Sequence, residues 1–324
     1  AEAGDLVATT KLSASTGDTL CANSRVVNLP RASFPKSCYS MAVRPAARGD
    51  EAKVAGAIQK LLEEDQTLSY EQNPLTKEMI LSGLGEQHLA AVVSQLKNDF
   101  GVEVVLSVPK IAYRETIRKK VKVQGRHKKQ SGGHGQYGDV WIEFEPYPSD
   151  ELVFEEKVFG GAVPKNFFPA VEKGLQESVA KGVLAGFPVV GVKAILVDGS
   201  YHPVDSSEMA FKTAASIAYK EGMKQAEPTL LEPIGSLEVS IPDDNTGDIM
   251  GDLNKRRDRV LGMNPSDEDG MTTILAEVPL REMADFAMQL RQMTQGEGVF
   301  TLTPVRYEQL PANLMTEVIA AASE

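Results

Sequence analysis

The chain has 324 residues, 42% of them hydrophobic and 24% charged, with a formal net charge of −11 and a pI near 5.1. That length is too great for one comfortable core and predicts two to four domains, while the acidic balance excludes a global field that would draw the chain onto nucleic acid. No apolar run can cross a bilayer, because the longest, GVLAGFPVVGVKAILV, is broken by Pro188 and Lys193. The N-terminal AEAGD lacks the basic and apolar regions of a secretion signal. Cys21 and Cys38 are the two cysteines, too few for a disulfide framework, and are expected to be reduced packing residues of a cytoplasmic protein. With four scattered histidines and no C-x-x-C pair, no metal site is expected.

Residues 1–35 read as an ending without a beginning. AGDLVATTKL and the turn STGDTLC suggest two short strands, too few for a sheet with its own core. The chain is therefore expected to start inside a β-domain whose remainder is missing.

Residues 38–106 follow a legible order. CYSMAVRP is a strand and EAKVAGAIQKLLEED a helix, with Val54, Ile58, Leu61 and Leu62 on one face. QTLSYEQ and KEMILSG are strands around Asn73-Pro74. GEQHLAAVVSQLKNDFG is a second helix, with Leu89, Val92, Val93 and Leu96 at helical spacing, and VEVVLSV closes the unit. The order β-α-β-β-α-β predicts a ferredoxin-like split βαβ fold.

In the next segment Ile117, Val121 and Val123 alternate with cations in IRKKVKVQ, and large apolar and acidic residues alternate from Trp141 to Glu145. Both read as strands. Between them HKKQSGGHGQYG contains Gly133, Gly135 and Gly138 in the pattern G-x-G-x-x-G. A dinucleotide fingerprint must open a helix, whose free N–H groups hold the pyrophosphate. Here the glycines open a strand, so Ser131–Gly138 is expected to be the tip of a long β-hairpin. Between Arg118 and Lys129 stand seven Lys/Arg residues (118, 119, 120, 122, 126, 128, 129) and no acid. Alone this run suggests a solvated strand face. Beside a glycine-rich tip it suits contact with RNA phosphates.

LVFEEKVFGG is a strand, Lys165–Lys181 a helix with Phe168, Val171, Leu175 and Val179 on one face, and VVGVKAILVDGSY a strand. A further helix is expected to start with Asp205, Ser206 and Glu208 and to run through Met209, Ala214, Ile217 and Ala218. Residues 236–307 then repeat the β-α-β-β-α-β order without visible sequence identity. Ile249 and Leu253 point inward from their first helix, and Met283, Phe286 and Leu290 from the second.

The stretches RETI (114–117), KKQSGGHGQYGDV (128–140), GGAVPK (160–165), AGFPVVGVK (185–193), DGSYHPVDSSEMAFK (198–212), LLEP (230–233), LNKRR (253–257), VPL (278–280) and MTQG (293–296), with TGDTLC, LEEDQTL and SGLGEQHL upstream, resemble bacterial elongation factor G over essentially the whole chain. The resemblance implies an α+β multidomain fold. Residues 1–35 would be the tail of a truncated β-barrel domain II, 36–112 a ferredoxin-like domain III, and 113–232 a domain IV of the ribosomal-protein-S5-like type. Residues 233–324 would be a ferredoxin-like domain V. It further implies a ribosomal translocase, whose GTPase domain, with its GTP and Mg, lies before Ala1. No P-loop or N-K-x-D motif occurs in this chain, so by itself it is expected to bind no GTP and no other cofactor, and not to be an enzyme.

The partners implied are the ribosome, with the RNA of both subunits, tRNA and mRNA. A monomer without membrane attachment is expected. The matching RNA-contacting positions are the tip residues Lys128, Lys129, Gln130, Ser131, Gly132, Gly133, His134, Gly135, Gln136 and Tyr137, and the loop residues Tyr201, His202, Asp205, Ser206 and Ser207. Lys255, Arg256 and Arg257 match a large-subunit contact, although from residue type alone they are favourable charge at a helix C-terminus. His88 reads as a structural helix residue.

This sequence departs from the family pattern at His134 (usually arginine), Asp139 (often histidine), Asp258 (usually glycine) and Glu297 (usually arginine), and in MADFAMQLRQ. These changes leave open a paralogue serving ribosome recycling or stress. A small-molecule kinase and a stand-alone RNA-binding module are the alternatives from other classes.

Overall fold

In the computed structural model, residues 2–12, 14–130, 135–265 and 270–322 are described. They form two compact units, residues 1–111 with 235–304, and residues 112–234 with 305–324.

Among the described residues before Tyr39 there is no strand, contrary to the two expected there. The reason is physical: Leu6, Val7 and Val26 are exposed, and a strand without a partner and an apolar face to bury is not stable in water. The STGD turn does form, with Asp18 N–H bonded to Ser15 O at 3.0 Å and the Asp18 carboxylate held by Arg31.

The rest of the first unit begins with β1 (Tyr39–Pro45), α1 (Glu51–Glu64), β2 (Ser69–Gln72), β3 (Met79–Gly83), α2 (Glu86–Asn98) and β4 (Val104–Ser107). The sheet order is β2-β3-β1-β4, the ferredoxin-like arrangement that the element order predicts. Val54, Ile58 and Leu61 of α1 and Leu89, Val92 and Leu96 of α2 are buried against Val43 and Leu81 of the sheet. His88 is structural: its Nδ1 accepts Leu84 N–H at 3.1 Å and its Nε2 meets Asp65 Oδ2 at 2.9 Å.

The second unit starts with β5 (Arg114–Ile117), β6 (Val121–Lys129), β7 (Gln136–Pro146) and β8 (Val153–Glu156). It continues with α3 (Phe168–Val179), β9 (Val192–Ser200) and α4 (Glu208–Gln225). The strand expected over 117–124 starts only at Val121, as β6, because the N–H groups of Arg118 and Lys119 both turn to Ala226 O, and β5 before it is an unexpected strand. Strands β6, β7, β9 and β8 form a sheet in that order, with β8 parallel to β9 and the other pairs antiparallel. Glu115 is buried, and its carboxylate accepts the backbone N–H groups of Leu184, Ala185 and Phe187 at 2.9–3.2 Å. A buried carboxylate that accepts several amides tolerates its charge.

The face that α4 buries differs from the expected one. Met209 and Ile217 are exposed, and the inward stripe is Ala210, Phe211, Ala214, Ala215, Ala218, Tyr219, Gly222 and Met223. Small residues let α4 approach the β6–β7 hairpin closely. A Cβ on Gly125 would lie 2.1 Å from Ala214 O, one on Gly138 2.5 Å from Ala210 O, and one on Gly222 2.6 Å from the Phe144 ring.

The chain then forms β10 (Pro228–Pro242), α5 (Thr246–Lys255), β11 (Arg259–Pro265), β12 (Met271–Pro279), α6 (Phe286–Met293), β13 (Val299–Gln309) and α7 (Ala312–Ala322). Like β5, α7 is not among the expected elements. In the first unit β11-β12-β10-β13 repeats the ferredoxin-like order, over a core of Leu237, Val239, Ile249, Leu253 and Phe286. In the second unit the start of β10 pairs with β5. The architecture is α+β throughout, without a closed barrel among the described residues.

The close approach of α4 gives a test. Gly125→Ala should destabilise the second unit by about 1–3 kcal/mol, because the obstacle is backbone that cannot swing away. Gly56→Ala in α1 meets nothing within 4 Å and should stabilise its helix by roughly 0.5–1 kcal/mol. The single tryptophan, Trp141 on β7, reports the second unit in a urea titration. A midpoint unchanged by Gly125→Ala would disprove the packing.

Candidate nucleic-acid interface

The register of β6 and β7 sets the hairpin end: Lys128 faces Tyr137 and Lys129 faces Gln136. Ser131, Gly132, Gly133 and His134 lie outside the described residues. Beside the hairpin lies the loop from Tyr201 to Ser207, which joins β9 to α4.

The two segments are bonded to each other. Tyr137 N–H donates to Asp205 O at 2.8 Å, Gly135 N–H to Asp205 Oδ1 at 3.0 Å, and Ser206 Oγ to Tyr137 O at 2.9 Å. Within the loop, Ser206 Oγ accepts His202 N–H at 2.8 Å and Ser206 N–H donates to His202 O at 3.1 Å. His202 Nδ1 accepts Asp205 N–H at 3.1 Å and lies 3.3 Å from Asp205 Oδ2, with the side chain 52% exposed. Its ring meets Tyr137 edge-on at 6.4 Å. The helix cap expected at Asp205 or Ser206 is instead Ser207, whose Oγ accepts Ala210 N–H at 3.2 Å. Asp205 and Ser206 cannot cap α4 because both are committed to the hairpin.

Below this junction a polar chain fixes the Tyr137 ring. The Tyr137 hydroxyl meets Ser200 Oγ at 2.7 Å, Ser200 donates to Asp139 Oδ2 at 2.8 Å, and Gln124 donates to Asp139 Oδ1 at 2.8 Å. Asp139 is buried, so the acid found here in place of the family's histidine belongs to the interior.

The seven cations of the basic run divide by environment, with Lys119 exposed at the bend between β5 and β6. Arg118 pairs with Glu227, and Lys120 with Glu143 and Glu145. Lys122 lies over Trp141 at 5.8 Å and Arg126 over Tyr137 at 5.7 Å. Lys128, Lys129 and Gln130 are exposed at the hairpin end, and neither lysine has an acidic partner among the described residues. Gln136 is turned to His127, whose Nε2 lies 2.8 Å from Gln136 Oε1. Tyr201 is exposed.

The second basic group, in the first unit, requires a correction. Arg256 is buried, not surface-facing. Its guanidinium bonds Asp252 and Asp285 at 2.6 Å and Glu282 O at 2.5 Å, and lies over the Phe286 ring. It locks the C-terminus of α5 to the segment before α6. Arg257 turns into the left-handed region at φ 57° and contacts Glu282 at 3.0 Å. Lys255 is exposed. The i,i+4 spacing of Asp252 and Arg256 is a local signal of their pairing, but none announces that Asp285 joins them from another element.

Known proteins share these folds. The chain matches the family models for Elongation factor G, domain III over residues 34–108, Elongation factor G, domain IV over 109–227 and Elongation factor G C-terminus over 229–318. It is 45% identical over 318 residues to an elongation factor G-like protein of Thermotoga maritima, covering 98% of this chain and 46% of that protein. A solved structure from Thermus thermophilus is 46% identical and superposes with a TM-score of 0.79 over 91% of this chain and 44% of its own. Two ferredoxin-like folds with an intervening domain of this kind define a multidomain piece of a translation factor. The chain belongs to the elongation factor G family, and spans about half the length of the curated relative it matches.

Two expectations follow. Ser206→Ala removes the acceptor for His202 N–H and the donor to Tyr137 O. At about 0.5–1.5 kcal/mol per bond, amide exchange at His202 and Tyr137 should accelerate on the order of tenfold, while α3 amides are unaffected; equal rates would mean that Ser206 does not join the segments. The second concerns Asp285, whose carboxyl is held below the usual range by the Arg256 hydrogen bond. A depressed carboxyl stabilises the fold above its unfolded pKa, and that contribution is lost as pH falls through the folded value. Arg256→Gln should therefore be less stable than wild type near neutral pH and should lose less on acidification below about pH 4. Urea melts followed by circular dichroism across that range test this.

Proposed function

We propose that this chain is the ribosome-binding C-terminal portion of a translation factor that moves tRNA and mRNA, with the β6–β7 end and the Tyr201–Ser207 loop acting together at the decoding region. The observation that carries the reading is the bonded junction of Asp205 and Ser206 with Gly135 and Tyr137. It presents His202, Lys128 and Lys129 from one end of an otherwise acidic protein. Lysines supply sequence-independent attraction to phosphate. The half-exposed imidazole of His202 offers a hydrogen bond or a stacking face, suited to a contact that must later be released. Lys255 would add a contact to large-subunit RNA, whereas Arg256 is engaged internally and drops out of that role. GTP hydrolysis would belong to a domain outside this chain, and a cytoplasmic location and a monomeric state complete the reading.

A second reading, a paralogue that serves ribosome recycling or stress, is supported by Asp258 and by Glu297, which is exposed where the family carries arginine.

The test uses the full-length parent with its GTPase domain. His202→Ala should slow tRNA–mRNA movement roughly 5- to 30-fold, the loss of a contact worth about 1–2 kcal/mol, while ribosome-stimulated GTP hydrolysis stays nearly intact. Single-round kinetics of both events on one ribosome preparation decide the matter. If hydrolysis falls in step with movement, or if neither changes, the role assigned to His202 is wrong.

A further inference from the structure

The helical side of the second unit carries an open groove of 640 Å³ between α3 and α4. Four lysines line it, Lys181, Lys212, Lys220 and Lys224, against one acid, Glu177. Lys212 and Glu177 neutralise each other at 2.7 Å. Lys181, Lys220 and Lys224 are exposed and have no acidic partner among the described residues. The neighbouring carboxylates are otherwise engaged. Glu115 is buried and holds three backbone amides, and Glu221 accepts from Gln225 at 2.7 Å. On a chain of net charge −11, three uncompensated ammonium groups around one concavity form a local field of opposite sign to the whole.

We propose that this groove is a second polyanion site, which takes the phosphodiester backbone of an RNA strand. The choice of backbone over base follows from the lining. Lysine is a compact point charge without the planar fork that reads base edges. The aromatic side chain in the lining, Tyr219, is buried with its hydroxyl turned to Lys181 O at 3.4 Å, so it offers no stacking platform. The choice of RNA follows from position. Helix α4 begins just after Ser207, the last residue of the candidate RNA-contacting loop, and Met209, Ser216, Lys220 and Lys224 of the lining lie along it over about 15 residues, roughly 22 Å of helix. A strand engaged at the hairpin end is thereby led along the helix, with Lys220 and Lys224 one turn apart. The inference rests on the RNA-binding reading of the hairpin end, and extends it to Lys181, Lys220 and Lys224, which lie outside the stretches that carry the family resemblance.

The test measures the affinity of the 324-residue chain for a fluorescein-labelled single-stranded RNA of about 20 nucleotides at several salt concentrations. Lys220→Ala/Lys224→Ala should reduce the magnitude of the log–log salt slope by about 1.4, at roughly 0.7 per phosphate contact on a single strand. Lys128→Ala/Lys129→Ala is measured in parallel, and the Trp141 urea midpoint verifies that each variant is folded. A slope unchanged in the groove variant, with the hairpin variant reduced, overturns the groove and leaves the hairpin reading standing. A reduction in the groove variant alone supports the groove and sinks the hairpin reading. Polyglutamate in place of RNA is the last arm: binding as tight, with the same dependence on Lys220 and Lys224, would make the occupant an acidic polypeptide and overturn the assignment to RNA.

Discussion

The second unit depends on how closely α4 approaches the β6–β7 hairpin. The contact is backbone against backbone: Gly125 and Gly138 face the carbonyls of Ala214 and Ala210, and no side chain at either glycine fits the space. A helix seated that deeply has little freedom to slide or rotate, because interiors are close-packed and resist small displacements. Its N-terminus is therefore fixed relative to the hairpin end, and the Tyr201–Ser207 loop has a short and determined path from β9 to α4. The bonds of Asp205 and Ser206 to Gly135 and Tyr137 are available because this packing brings them into range. In this sense the glycines of the hairpin serve two ends. Gly125 and Gly138 admit the helix, and Gly135 lets the backbone approach the Asp205 carboxylate, where a Cβ would lie 2.9 Å from it.

Much of this is legible in the sequence. Period-two and period-3.6 apolar patterns locate the helices and strands of both ferredoxin-like folds, because each element buries one face and its pattern must match its period. The exclusion of a nucleotide loop rests on the same logic, since Trp141–Glu145 alternates as β7 does there. The misses are of another kind. Local turn chemistry suggests two strands before Tyr39, but strands need partners that local pattern does not supply. The buried face of α4 is misread because alanine and glycine carry almost no hydropathy signal, while Met209 and Ile217 carry a strong one and point to solvent. The cap falls one or two residues later than expected because Asp205, Ser206 and Ser207 are all competent caps, and only the tertiary demand of Tyr137 and Gly135 decides among them.

The same distinction governs the cations. A run of seven basic residues without an acid looks uniform in one dimension. In the fold, Glu227, Glu143 and Glu145 arrive from other elements to pair with Arg118 and Lys120, and aromatic rings take up Lys122 and Arg126. Toward the hairpin end Lys128 and Lys129 have no acid beside them among the described residues, so the field is concentrated there. Lys255-Arg256-Arg257 divides in the same way, with Arg256 held by Asp252 and Asp285. Charge that is matched within the fold stabilises or orients it. Charge left unmatched is what remains to act on a partner.

The departures from the family pattern should be weighed by place as well as by residue type. Asp139 substitutes an acid for a histidine in a segment next to the hairpin end, and as a letter it suggests an anion set against RNA. Its carboxylate is instead directed into the unit, with one oxygen on Gln124 and the other on Ser200, whose own oxygen meets the Tyr137 hydroxyl. Asp139 thus supports Tyr137 from within the unit and adds no negative charge at the surface. Asp258 is partly withdrawn as well, and burial raises its carboxyl above the usual range. Glu297 alone of these three lies exposed. Among the described residues, then, the acids at 139 and 258 are drawn inward and add little negative charge to the surface on which Lys128, Lys129 and His202 stand, whereas Glu297 does place an acid in solvent, in the first unit.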